Sequence, residues 1–246
     1  GVAPWFANQS IDGIDSIALA VWGTNVAIGG REVAEAIYGQ LLVSGKPVGT
    51  PRRLTPPDAR PFVHCKVIVV GGRFAVLWND ARGDTSIMVQ FVDRTGELEG
   101  EPRIFSDGVV VQQGQLASMA FGPREGGRLI AWADGRGSTN HTMLRRIEAD
   151  GSFDAPELII GKTFNQLRRY PTLSGITFIC ALDSTAMVDS AGTLHLPLVS
   201  TTRFQLAHAI TADSTFLLLR DTSLVYYPNP LSTKEIRVIP IPNLRG

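Results

Sequence analysis

The chain has 246 residues, 44% of them hydrophobic and 19% charged, which suits a soluble globular fold and excludes a disordered chain. Its 23 Lys and Arg balance 23 Asp and Glu, so no clustered basic field exists to hold nucleic acid or an anionic membrane surface. No apolar run approaches the roughly 18 residues that a bilayer crossing needs, which predicts no membrane insertion. The start at Gly1 rather than Met reads as a processed or trimmed end.

Along the chain, short apolar runs alternate with Gly, Pro, Asp and Asn, the pattern of strands and turns. A first unit carries Ile17 to Trp22 and then Ile37 to Val43, with its opening strand placed near Trp5 to Asn8. In the second unit, Phe62 to Val70 precedes Phe74 to Trp78, which runs into W-x-D-x-R-G at Trp78 to Gly83. Ile87 to Val92, the turn Asp93 to Gly96 and the run Pro102 to Phe105 complete it. The third unit repeats that order: Leu116 to Phe121, Leu129 to Trp132 with W-x-D-x-R-G at Trp132 to Gly137, Met143 to Ile147, a turn at Asp150-Gly151, and Pro156 to Ile160. Fainter copies follow at Tyr170 to Leu173, Phe178 to Asp183 and Asp189 to Gly192, and again at Leu206 to Ile210, Phe216 to Asp221, Ser223 to Tyr227 and Glu235 to Ile239.

Trp22, Trp78 and Trp132 recur about every 55 residues, and four strands per unit at a period near 50 is the signature of propeller blades. One such sheet cannot bury both faces alone, so its neighbours must pack against it around an axis. The expected fold is therefore all-β: a single five-bladed β-propeller of four-stranded antiparallel blades, with six blades or an incomplete ring as alternatives. The units divide at about 1–56, 57–106, 107–161, 162–202 and 203–246, within one domain.

The W-x-D-x-R-G units, complete only at Trp78, Asp80, Arg82 and at Trp132, Asp134, Arg136, resemble W-x-D-x-R repeats in β-propellers of many bacterial extracellular and cell-surface proteins. That resemblance implies the fold and a secreted or cell-surface location, and it implies no particular activity. The Asp-box of sialidases and the Gly-His…Trp-Asp pattern of WD repeats are absent.

Two sets of candidate ligand-binding residues follow. Trp78, Trp132, Arg82 and Arg136 sit at equivalent positions, where they either pack between blades and tie turns or line repeated pockets. His64, Gln115, Tyr170 and His208, with Asn8, fall on the innermost strands and would converge on the axial channel. They suit a neutral polar ligand such as a sugar. Two lone histidines with no adjacent carboxylate predict no metal site, and nothing implies a cofactor. Cys65 and Cys180, both within apolar runs, read as buried unpaired thiols.

No nucleophile elbow, phosphate loop or H-E-x-x-H motif is present. The inner strands carry almost no Asp or Glu, because Asp12, Asp15, Asp183 and Asp221 fall in turns or at strand ends. The expectation is thus a non-catalytic binding module for a glycan or a protein surface, acting through the channel mouth and loops. The alternatives are a glycoside-acting enzyme, which needs two facing carboxylates, and a structural propeller of a larger surface protein.

Overall fold

A computed structural model describes residues 9–28, 31–81, 86–109, 118–135, 141–162, 168–171, 177–180, 184–189, 191–200, 208–210, 216–220, 223–227 and 237–240. Every described element is a strand, and no helix among the described residues is long and apolar enough to cross a membrane.

Among the described residues, twenty strands form five antiparallel groups of four. Blade 1 holds β1 (Ser10–Ile14), β2 (Ile17–Ile28), β3 (Arg31–Val43) and β4 (Lys46–Arg53). Blade 2 holds β5 (Pro61–Val70), β6 (Arg73–Asp80), β7 (Ser86–Val92) and β8 (Leu98–Ser106). Blade 3 follows with β9 (Ser118–Phe121), β10 (Arg128–Asp134), β11 (His141–Ile147) and β12 (Leu158–Lys162). Blade 4 comprises β13 (Arg168–Pro171), β14 (Thr177–Cys180), β15 (Ser184–Val188) and β16 (Leu194–Ser200). Blade 5 comprises β17 (His208–Ile210), β18 (Phe216–Arg220), β19 (Ser223–Tyr227) and β20 (Arg237–Pro240). The fold is an all-β, five-bladed propeller.

The opening strand expected near residues 5–8 lies outside the described residues; the strand paired with β2 is β1, Ser10–Ile14. Its Asp12-Gly13 pair reads locally as a turn. Contacts with blade 2 hold it extended: Val67 N–H donates to Ser10 Oγ at 3.1 Å, and Val69 N–H to Asp12 Oδ2 at 2.9 Å.

The core lies between the blades. Successive side chains of a strand point to opposite faces, so each second strand feeds two interfaces. On β6, Phe74, Val76 and Trp78 pack with Leu19, Val21 and Ile37 of blade 1. The intervening Ala75 and Leu77 pack with Ile130, Trp132 and Met143 of blade 3. On β10 the same alternation sends Ile130 and Trp132 toward blade 2, and Leu129 and Ala131 toward Val188 of blade 4. Trp78 and Trp132 thus each face the preceding blade, both at 0% exposure, and neither indole N–H meets an acceptor among the described residues.

At the Trp132 cluster, blades 2 and 3 are also laced by guanidinium groups over its rings. Arg73 and Arg103 lie over Phe91 at 5.5 and 5.2 Å. Arg103 and Arg145 lie over Phe153 at 4.6 and 5.3 Å, and Arg145 also lies over Phe105 at 5.6 Å. Phe105 meets Trp132 edge-on at 5.4 Å. Each cation–ring contact contributes on the order of 0.5–2 kcal/mol, set by its desolvation. The arginines donate to backbone carbonyls as well: Arg73 to Ala149, Arg103 to Gly151, Arg145 to Ala155 and Phe105.

Replacing Trp78 or Trp132 by Ala should cost about 3–5 kcal/mol each, through lost transfer energy and the cavity left behind. Replacement by Phe should cost much less, because no indole hydrogen bond is forfeited. Urea-denaturation midpoints of the four variants check this. A Phe loss as large as the Ala loss would assign the indole N–H a bond that the packing does not provide.

Candidate functional site

In a four-stranded meander the first–second and third–fourth turns lie at one end, and the second–third turns and blade-to-blade connections at the other. Every inner strand begins at that second end, here called the rim. β5 begins there, and so do β9, β13 and β17.

At the start of β5 the register with β6 is broken. Pro61 pairs with Asp80 and Cys65 with Trp78, and the ladder is irregular between them. Phe62 instead pairs with Val33 of β3, joining blades 1 and 2 into one eight-stranded sheet. Such irregularities re-aim side chains and concentrate beside functional sites. The half-buried His64 sits within this one.

The pairing is possible because β2 and β3 overrun the blade. Their ladder continues past a register shift at Gly23/Asn25 to Asn25↔Ala34 and Ile28↔Arg31, forming an arm at the rim. Arg53 fixes the base of the arm. Its Nη2 donates to the carbonyls of Glu35 at 3.4 Å, Pro56 at 2.9 Å and Pro57 at 3.3 Å, and its Nε to Thr55 O at 3.0 Å. The backbones of Glu35 and of Pro57, next to Asp58, therefore meet at one guanidinium, and both Glu35 and Asp58 are exposed. Arg60, also exposed, follows, and its backbone N–H reaches Asp80 Oδ1 at 3.4 Å. Asp80 itself is buried at the end of β6, as Asp134 is at the end of β10.

Of the residues expected from sequence, His64 is at the rim. Tyr170 lies on β13, paired with Phe178, and His208 opens β17, paired with Leu218; the side chains of both lie outside the described residues. Gln115, Arg82, Arg136 and Asn8 lie wholly outside them. Trp78 and Trp132 are enclosed between blades, away from solvent. Glu35 and Asp58 escape a sequence reading, since what gathers them is the pairing of Val33 with Phe62 and the reach of Arg53. The signal that could have found them is the Pro56-Pro57-Asp58 turn just ahead of an inner strand.

The opposite end holds an open groove of about 500 Å³ beside the β1–β2 and β3–β4 turns. Asp12 lines it, but both of its oxygens are engaged: Oδ1 by Gly13 N–H and, at 2.8 Å, by Arg124 Nη2, and Oδ2 by Val69 N–H. A carboxylate so occupied is a structural one. Among the described residues, no group of three or more His, Cys, Asp or Glu could hold a metal ion.

No protein-family model matches this chain, and no curated protein matches its sequence. Solved structures do resemble it. A GH43_1 enzyme from Xanthomonas citri complexed with xylose matches 91% of this chain and 80% of its own at 11% identity, with a TM-score of 0.50. A second structure of a GH43_1 enzyme from Xanthomonas citri matches 96% and 87% at 13% identity, again with a TM-score of 0.50. The catalytic domain of a GH62 α-L-arabinofuranosidase from Coprinopsis cinerea matches 98% and 86% at 10% identity, with a TM-score of 0.46.

The two GH43_1 likenesses bear out the propeller fold. They also correct the expectation of a non-catalytic binding module, because the neighbours are glycoside hydrolases and favour the alternative of a glycoside-acting enzyme. The reason for the miss is geometric. Carboxylates are scarce on the inner strands, whereas the rim is also built by the β2–β3 arm and by the loop before β5.

Cys65, next to His64 on β5, is buried and in no disulfide, and burial pushes its thiol up to about 12 against a smaller opposing backbone hydrogen bond. Almost no thiolate then exists at about pH 8, where an exposed thiol would be substantially ionised. In a Cys180→Ser background, iodoacetamide should leave Cys65 unmodified at that pH until denaturant is added, as read by intact mass. Rapid labelling of the folded protein would show that the β5 start opens to solvent.

Proposed function

We propose that this chain is a glycoside-acting enzyme whose reactive groups sit on the rim around the start of β5, and that its substrates are neutral pentose-containing glycosides. The observation that carries this is the meeting of the Glu35 and Pro57 backbones at one Arg53 guanidinium, which places the exposed Glu35 and Asp58, the residue after Pro57, beside the irregular start of an inner strand. Glycoside hydrolysis needs one carboxylic acid to protonate the leaving oxygen and one carboxylate to act as base or nucleophile. Support for the sugar class comes from the xylose bound to the GH43_1 enzyme that shares the fold.

In this reading Glu35 and Asp58 divide the acid and base roles. Arg60 and His64 bond the sugar hydroxyls from blade 2, and Gln115, Tyr170 and His208 do so from the other inner strands. A secreted or cell-surface setting follows from the resemblance of the W-x-D-x-R repeats.

The test is hydrolysis of 4-nitrophenyl pentosides and of xylo- and arabino-oligosaccharides. Glu35→Gln and Asp58→Asn should each lower kcat by about 10²–10⁴-fold with unchanged melting, the range that general acid–base groups contribute. A wild-type chain with no turnover on any of these substrates, or two variants with full activity, would overturn the proposal.

A further inference from the structure

We infer that the groove at the turn end of blade 1 is a second ligand site and that its ligand is a neutral sugar. Asp12, Asp15, Ser16, Ser44, Arg124 and Ile11 line it, and its volume of about 500 Å³ lies within the range of small-molecule sites. The charges are present but paired: Asp12 with Arg124 at 2.8 Å and Asp15 with Arg94 at 3.4 Å. A phosphate would meet two carboxylates and an ammonium ion would meet guanidinium groups, so both are disfavoured.

Adjacent hydroxyls are a better match, since a carboxylate accepts two hydrogen bonds side by side and a guanidinium donates a matching fork. Ser16 and Ser44 add a hydroxyl each, and the two turns that carry them are tied by Ser44 N–H to Ser16 O at 2.7 Å. Ile11, 62% exposed, offers the apolar surface that the C–H face of a sugar ring covers.

A second observation is independent of that chemistry. Asp15 (φ 55°) and Ser44 (φ 49°) are the two non-glycine residues with positive φ among the described residues, and both line the groove. Each opens a two-residue hairpin turn, Asp15-Ser16 and Ser44-Gly45, whose favoured backbone has positive φ, so the turn geometry fixes where these side chains stand at the groove. Asp15 is 71% exposed on its side chain and Arg124 54%, so both have room to turn toward a ligand.

The site lies at the opposite end of the blades from Glu35 and Asp58 and does not depend on their chemistry. Its test is a titration of the isotopically labelled chain with xylose, xylobiose, inorganic phosphate and putrescine, followed amide by amide in proton–nitrogen spectra. The sugars should shift the amides of Asp12 to Ser16 and of Ser44 and Gly45; shifts at Phe62 to His64 would report the rim separately. Asp15→Gly keeps the positive φ and removes the carboxylate, and it should weaken sugar binding about tenfold with melting unchanged. Should that variant fail to fold, Asp15→Asn, which also tolerates the turn, should weaken binding in the same direction. The inference falls if neither sugar moves these amides, if phosphate or putrescine moves them more, or if loss of the Asp15 carboxylate leaves affinity intact.

Discussion

Burial between facing sheets is the constraint on which this molecule depends. Each blade is a four-stranded sheet with two apolar faces, so a blade alone would leave one of them wet. The alternation along β6 and β10 makes each blade contribute to two interfaces at once. Trp78 and Trp132 occupy the same place in successive interfaces, which is why their spacing in sequence marks the repeat so clearly. The W-x-D signature is, in these two blades, a packing signature first.

The inner edge of β5 poses a different problem, because beyond Phe62 no strand among the described residues pairs with it and its backbone groups still need partners. Val69 of β5 shows the solution. Its N–H donates to Asp12 of blade 1 and its carbonyl accepts from Arg128 Nη1 of blade 3 at 2.9 Å. Arg124 of blade 3 then reaches Asp12, so blades 1 and 3 are linked across blade 2 by side chains rather than by pairing. Burial lowers the Arg128 guanidinium from its ordinary pKa, while the Asp12 charge acts to restore it. The turns are fitted as closely: a Cβ on Gly71 would lie 1.8 Å from Ala149 O, so that position accepts no side chain.

What the sequence made legible was whatever local pattern and period encode. Strand identity, blade count and the enclosed tryptophans all follow from period-two apolar runs and from a spacing of about 55 residues. β1 was placed too early because Ser10–Ile14 looks like a turn and is extended only through bonds to Val67 and Val69, more than fifty positions away. The β2–β3 arm was invisible for a related reason: Arg31 to Leu42 reads ambiguously by itself, and Val33 finds Phe62 only in the folded chain. The carboxylates of the candidate site inherit that blindness. Glu35 and Asp58 are unremarkable surface residues until Arg53 draws the backbones of Glu35 and Pro57 together.

The β3–β5 pairing also bears on how the ring comes apart. Blades in a propeller are joined mostly by side-chain packing, so separating two of them breaks few backbone hydrogen bonds. Blades 1 and 2 are the exception, since Val33 and Phe62 continue a single ladder through both. Their amides therefore belong to one opening unit. Parting blade 3 from blade 2 instead breaks packed side chains, guanidinium contacts and the two turn bonds from Gly71 N–H to Gly126 O and Gly72 N–H to Arg124 O, with no ladder between them among the described residues. Slow amide exchange would spread evenly over the first two blades and step down at the boundary with the third. In its energetics the molecule begins with a double blade.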